Sequence, residues 1–573
     1  LGDVYKRQFL SYHSSLFIGN KSEILILKLS HMKKLNINNI VRTFFIATMV
    51  SVTMHSCSNS IFDKQPLDKV SDDTFWRNES DAQMAWTGCY NHGSGWVNNT
   101  FWAPRTMLWL DLMAGFGSEK EGRPDGVTDG TMNSSFWVPN QYWSETWKTI
   151  VACNNFMDHI DNINMNDDTK KRMKADVRTL RAYHYFYLAT FWGDVPLVTT
   201  VLSLEEANSV SRTPVSQVWE FIENELTESA ADLPETLPDS ELGKMSKGAA
   251  YAILGRALMS QKKWSEAATV YKQIIDSGVY IVEDNFSELF WEKSEYSKEI
   301  LLSSQYVADN FSHVLPQYLY PEVNGGWHQF SPYNELVKRF ECIDGKTIEE
   351  SPLYDEDNPY DNRDPRMLYT VMISGKSSFQ GREYNADPSS DSPDRYGKYS
   401  VWSGYCIAKF MDGGFNGNLM NYGGNFILIR YPEVLLSYLE SKLEAGDAID
   451  QSLLDATINK VRGRQSVNMP AVTETTANSL REIIRRERSV EFAFEGLHYY
   501  DILRWGTASE ELNRQFTGMK LTTDPDNYTA SAVDKDGYAI CQRRVFTIGK
   551  SELWPIPLSE IQINGNLTQN PGY

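Results

Sequence analysis

The stretch "KGAAYAILGRALMSQKKWSEAATVYKQIIDSGVY", residues 247–280, limits the possible folds more than any other part of the chain. Ala250, Leu254 and Leu258 recur at four-residue steps and form one apolar stripe on a helix. Trp264, Ala268, Tyr271 and Ile275 do the same on a second helix, after the polar turn "SQKK". Ala249, Ala250, Gly255 and Ala267 are small enough for the two helices to approach closely. Neither helix can bury its stripe alone, so the pair must pack against further helices.

Those helices are present in the pattern. "YPEVLLSYLESKLEAG" with "QSLLDATINKVRGRQ" reads as a second pair, and helices from Lys174 and Val215 supply further partners. "DDTFWRNESDAQMAWTGCYN" reads as a helix capped at Ser71 or Asp72. "KADVRTLRAYHYFYLATFWGDVPLV" is a long helix that Gly193 stops and Pro196 leads out of. A unit of ~34 residues resembles a tetratricopeptide hairpin, the plainer alternative being a generic helical hairpin. Residues 92–137 read as loop, dense in Gly, Trp and Asn. From 303 to 425 Gly, Pro, Asn, Asp and Ser break the helical pattern. The expected fold is therefore mainly α: a helical scaffold over about 66–302 and 426–573, with an irregular loop-rich insertion at 303–425. After Trp554 the prolines allow only a short turn, at 559–563.

The formal charge of −20 argues against nucleic acid, whose phosphates demand a basic surface. From Met32 the chain has a basic start, an apolar run from Phe44 to Met54 and then Cys57 followed by "SNS". This reads as a lipoprotein signal over 32–56 with Cys57 as the lipidated residue, although His55 stands where a small residue is usual. Residues 1–31 read as translation upstream of the true start. The apolar run is shorter than the ~20 residues of a membrane span. Cys89, Cys153, Cys342, Cys406 and Cys541 are scattered and odd in number, which favours buried thiols over zinc or a disulfide framework.

"RTLRAYHYFYL", "GDVPLV", "DGKTIEE", "RDPRM", "LIRYPEVLLSYLES", "INKVRGRQ", "ELWPIP" and "QNPGY" occur in series. In that order they resemble the SusD/RagB family of outer-membrane lipoproteins of Bacteroidetes, over about Cys57 to Tyr573. The resemblance implies four tetratricopeptide-like hairpins with a loop-rich subdomain. It further implies a lipid anchor on the cell surface, and glycan capture for a SusC-type TonB-dependent transporter. It implies a binding protein and no enzyme, with no cofactor.

The segment "RRERSVEFAFEGLHYYDILRWG", Arg485 to Gly506, then reads as a buried structural network. Glu487, Glu491 and Glu495 form a ladder on a helix from about Asn478 to Gly496, with Arg481, Arg485 and Arg488 as expected partners. Sharper chemistry is absent. "SGKS" at 374–377 lacks its phosphate-loop glycine, where Thr370 stands, and no His-Glu-x-x-His or Gly-x-Ser-x-Gly occurs. "DEDNPYDNRDPR" is dense in oxygen donors suited to a structural Ca²⁺, but its spacing is not an EF-hand and a solvated loop is the simpler reading.

Sugar recognition needs ring faces and amide, carboxylate or Arg groups. Two clusters offer them: Trp96, Asn98, Asn99, Trp102 and Arg105 in the first loop, and Tyr320, Trp327, His328 and Tyr333 in the insertion, with Trp402 as a weaker addition. The other functions consistent with the sequence are capture of peptide or another non-sugar nutrient, a helical docking scaffold, and a glycoside hydrolase. The last needs two carboxylates ~5–10 Å apart across a cleft.

Overall fold

The computed structural model describes residues 75–90, 100–398, 403–521 and 533–573. Cys57, Trp96, Asn98, Asn99 and Trp402 lie outside the described residues. Ten helices matter here: α1 Glu79–Gly88, α2 Pro104–Asp111, α3 Trp137–His159, α4 Asp167–Trp192, α5 Val215–Ala230, α6 Lys247–Ser260, α7 Trp264–Asp276, α8 Tyr431–Glu444, α9 Ala477–Glu491 and α10 His498–Trp505. From α3 to α9 each packs chiefly on the next, giving a stack of helical hairpins with one continuous core. None among the described residues is long and apolar enough to cross a membrane.

The α6–α7 pair shows why the small residues matter. A Cβ on Gly255 would lie 2.3 Å from the Tyr271 ring, so only glycine permits this crossing. Ser246 caps α6 by accepting the Ala249 N–H, and Asn166 caps α4 by accepting that of Thr169. The expected caps Ser71 and Asp72 lie outside the described residues; helix α1 starts at Glu79, where Asn78 accepts from the Ser80 and Asp81 N–H groups. Two element boundaries differ from expectation. The partner of α8 is split into Gln451–Ala456 and Ile458–Arg462, with Thr457 non-helical between them. Within the expected loop 92–137 lies α2, started by Pro104 and buried along its whole length.

The insertion leaves and rejoins the scaffold at one place. Strands β2, Ile300–Ser304, and β4, Phe426–Arg430, pair antiparallel, with Ser304 opposite Phe426. A second antiparallel pair, β1 Gly117–Glu119 with β3 Phe330–Pro332, ties the insertion to the segment after α2.

The two C-terminal motifs lie on the end of α4. Trp554 stacks on Phe191 at 4.6 Å, and Trp192 donates to the Pro555 carbonyl at 3.0 Å. Asn570 donates to the Trp192 and Trp554 carbonyls at 2.9 and 2.7 Å and accepts from Arg212. Asn570→Ala takes a bond from all three, of which Arg212 and the Trp192 carbonyl keep their contact with each other at 3.2 Å, and is expected to cost about 1–2 kcal/mol, read as a lower midpoint in urea unfolding. An unchanged midpoint would show the C-terminus to be energetically idle.

The acidic ladder is buried, as expected, but its partners are not local. Helix α9 ends at Glu491, and Phe494 and Gly496 take left-handed conformations before α10, so Glu495 lies beyond the helix. Arg481 pairs instead with Glu444, Arg485 with Glu482 and Arg488 with Asp501. Glu491 accepts from Arg430 at 2.6 Å, Arg464 at 2.7 Å and Arg366 at 2.8 Å. Glu487 accepts from Arg366 and Arg462, and Glu495 from Arg430 and Lys409. Glu299, Glu341, Asp364 and Arg486 complete a set of six carboxylates and six cations. Reach, not helix register, decided the partners: five of the cations come from the insertion, β4 and the segment after α8, and Arg486 of α9 turns to Glu341 of the insertion.

Candidate functional site

Helix α2 carries the centre of the candidate site. The Arg105 guanidinium lies against two rings, 5.2 Å from the Trp109 centroid and 4.6 Å from that of Tyr318. It pairs with Glu119 at the end of β1 and donates to the Tyr318 hydroxyl at 3.1 Å. Glu119 also accepts from Trp109 Nε1 at 2.9 Å and from the Gln329 amide. Burial lifts the Glu119 carboxyl to about 7, against the pull of Arg105.

Two further rings extend this row to the surface. Trp137, at the start of α3, meets Trp109 edge-on at 5.6 Å and is 41% exposed. Trp327 meets Tyr318 at 5.6 Å and is 37% exposed. The row thus runs Trp137, Trp109, Arg105, Tyr318, Trp327, with buried rings in the middle and open indole faces at both ends. Arg123 and Glu121, paired with each other and partly exposed, add hydrogen-bonding groups beside it.

A tight turn puts Trp327 in place. Gly325 is left-handed, and a Cβ on Gly326 would lie 2.1 Å from the Tyr320 carbonyl oxygen. Trp327 and Gln329 can then donate their N–H groups to the Gln317 and Tyr318 carbonyls, both at 2.7 Å. Those bonds lay 327–329 along the helix Leu315–Leu319 that carries Tyr318.

Several of the expected ligand residues are interior instead. Trp102 is 1% exposed and packs on Tyr183 and His184 of α4, so neither face is open to a sugar. Arg105 is buried beneath the rings. Tyr320 donates to the Asp412 carbonyl and meets Phe379 edge-on. Tyr333 packs on Phe516 and donates to Gln542. His328 faces two acceptors, Asp394 at 3.1 Å and the Tyr405 carbonyl at 3.0 Å, which suits an imidazolium donating from both nitrogens. Trp102 and Tyr333 hold their segments to the scaffold, and Tyr320 and His328 tie parts of the insertion to each other. Trp137 is the ring that loop composition alone passes over, because it begins a helix; an indole in a first turn, before the helix is covered, is the signal for it.

Burial works against charge on His328, but Cys406 and the Asp394 carboxylate outweigh it and hold the pKa at about 10. A raised histidine pKa stabilises fully below the unfolded value of ~6.5 and is lost as pH rises through the folded one. The midpoint difference between the wild type and His328→Gln is therefore expected to shrink from pH 6.5 towards 10. A constant difference across that range would mean that His328 is neutral.

The carboxylates of 355–366 do not converge. Asp355 accepts from the Asp357 N–H and the Asn358 amide, Asp361 pairs with Lys376, and Asp364 with Arg366. Among the described residues no three His, Cys, Asp or Glu side chains form a metal-ligand group.

The comparisons agree with this architecture. A family model described as the SusD family matches residues 297–573, and one described as "Starch-binding associating with outer membrane" matches 127–259. The crystal structure of a SusD-like carbohydrate binding protein from Bacteroides fragilis superposes with a TM-score of 0.83 at 35% identity, covering 86% of this chain and 100% of that one. SusD-like protein P25 of Formosa agariphila is 24% identical over 505 residues, 81% of this chain and 90% of its own. The starch-binding protein SusD of Bacteroides thetaiotaomicron is 24% identical over 490 residues, 77% and 81% of the two chains. With its helical-hairpin scaffold, its loop-rich insertion and these matches over most of its length, the chain belongs to the SusD family of carbohydrate-binding proteins.

Proposed function

We propose that the protein captures a glycan at the cell surface and hands it to a TonB-dependent transporter of the SusC type, held to the outer membrane by lipid on Cys57. The observation that carries this reading is the row from Trp137 to Trp327. Its open indole faces suit the C–H faces of sugars, and the partly exposed Arg123 and Glu121 beside the row suit hydroxyls. The arrangement is built for holding rather than cutting. Glu119, the carboxylate at the centre, is buried and engaged by Arg105, Trp109 and Gln329, with no open side from which to protonate a glycosidic oxygen. The names of the relatives, a carbohydrate binding protein and a starch-binding protein, support sugar as the cargo.

Affinity gel electrophoresis against a panel of soluble polysaccharides tests the reading, with Trp137→Ala, Trp327→Ala and Trp96→Ala run alongside. Retardation by a polysaccharide is expected. No retardation across the panel would move the cargo to peptide or another nutrient, and shortening of the polysaccharide would replace binding with hydrolysis.

A further inference from the structure

The turn that presents Trp327 is closed by a side chain from elsewhere in the insertion. The chain leaves the helix Leu315–Leu319 at Tyr320, makes a short helical turn at Glu322–Asn324 and comes back at Trp327. Asp394, 66 residues after His328, reaches both sides of this turn at once. Its carboxylate accepts the Glu322 and Val323 N–H groups on the outgoing side, at 2.8 and 2.9 Å. On the returning side it accepts from the His328 imidazole at 3.1 Å, whose other nitrogen donates to the Tyr405 carbonyl. Neither Asp394 nor His328 has exposed surface, so water does not take the place of either partner. The remaining anchors hold one carbonyl each, Gln317 donating to that of Gly325 and Asn324 to that of Phe379. The backbone carries a second sign of constraint. His328 has φ of 45°, a left-handed conformation that a residue with a side chain adopts when its surroundings impose it. The residue so held is the direct neighbour of the open indole, and relaxing it would turn the chain on which Trp327 sits.

We propose that Asp394 is a positioning residue of the glycan site: through the turn and His328 it sets the Trp327 indole in its binding orientation before any sugar arrives. The proposal rests on the reading of Trp327 as a sugar contact. Asp394 is buried and touches no ligand itself, so it acts only through the ring. A ring already fixed in place spends no binding free energy on its own ordering. Loosening the clasp therefore weakens affinity without removing a contact.

Asp394→Asn tests this. It keeps the shape of the side chain but puts an NH2 group where one acceptor oxygen stood, so that a donor of the turn faces a donor. Isothermal titration with a polysaccharide that wild type retards compares Asp394→Asn, Trp327→Ala, the double variant and wild type. Asp394→Asn is expected to bind roughly 5- to 10-fold more weakly than wild type, and the double variant within about 2-fold of Trp327→Ala. No loss in either background overturns the proposal. Equal losses in both overturn it as well, because a general loosening of the fold would weaken both alike. Fluorine NMR of the chain labelled with 5-fluorotryptophan reads the ring without any ligand, the signal missing from Trp327→Phe giving the assignment. That signal is expected to shift or broaden in Asp394→Asn, and also in His328→Gln, which opens the same clasp from its other end. A Trp327 signal like that of wild type in both variants overturns the proposal. If Trp327→Ala binds the polysaccharide as wild type does while the fluorine signal moves, the clasp stands and the reading of the ring as a sugar contact fails.

Discussion

Glu491→Ala is expected to cost about 3–5 kcal/mol, because it leaves Arg366, Arg430 and Arg464 without the carboxylate they share. That is a large share of the roughly 5–15 kcal/mol that holds a domain folded. The cost comes from stranding charges and does not measure what the network contributes over an apolar core. Urea unfolding followed by circular dichroism measures it, and a loss below about 1 kcal/mol would mean that water or a moved acid takes over the role. The same site sets a pH dependence. Burial works to raise the Glu491 carboxyl, but Arg464, Arg430 and Arg366 pull it far below the usual carboxylate range, and Glu487 is lowered by Arg366 and Arg462 in the same way. Depressed carboxylates stabilise above the unfolded value of ~4.3, and this contribution is lost as pH falls further. Wild type is therefore expected to lose stability steeply below about pH 4, and Glu491→Ala less steeply.

Trp327→Ala is expected to weaken binding of a retarded polysaccharide on the order of 30-fold, about 2 kcal/mol, while leaving the unfolding midpoint nearly unchanged. The ring is more than a third exposed, so its loss opens little of the core. Trp137→Ala is expected to act in the same direction from the other end of the row. Isothermal titration gives both affinities. If each variant binds as wild type does, the open indoles are not the ligand contacts and the site lies elsewhere. Trp102→Ala is the contrast. That ring is packed on α4, so its removal is expected to lower stability first and affinity only through it.

The scaffold was legible because helical periodicity is local: the stripes of 247–280 appear as α6 and α7, and Gly255 marks their closest approach. Helix α2 was not, since Gly, Trp and Asn around it read as loop, and only tertiary burial makes 104–111 helical. The site was legible in kind more than in place. Composition identifies segments rich in rings, but the same tryptophan that offers a face to sugar can pin its loop to a helix. Trp102 and Trp327 have similar neighbours in sequence and opposite fates. The partners of α9 were illegible for a related reason: a carboxylate shows its spacing in the sequence and not the arginine that reaches it from elsewhere.

The network on α9 also sets the order of events when the chain folds. Arg366 precedes Glu491 by 125 residues, Arg430 precedes it by 61, and Lys409 precedes Glu495 by 86. A chain delivered from its N-terminus therefore presents these cations before Glu491 and Glu495, with only Asp364 beside Arg366 and Glu299 beside Arg430 already made. Until α9 arrives, closing β4 and the insertion would bury Lys409 with no carboxylate and the arginines with too few, at a cost of several kcal/mol. A chain interrupted before Glu487 is thus expected to stay open instead of closing halfway, so that the segment carrying these acids licenses what precedes it to close.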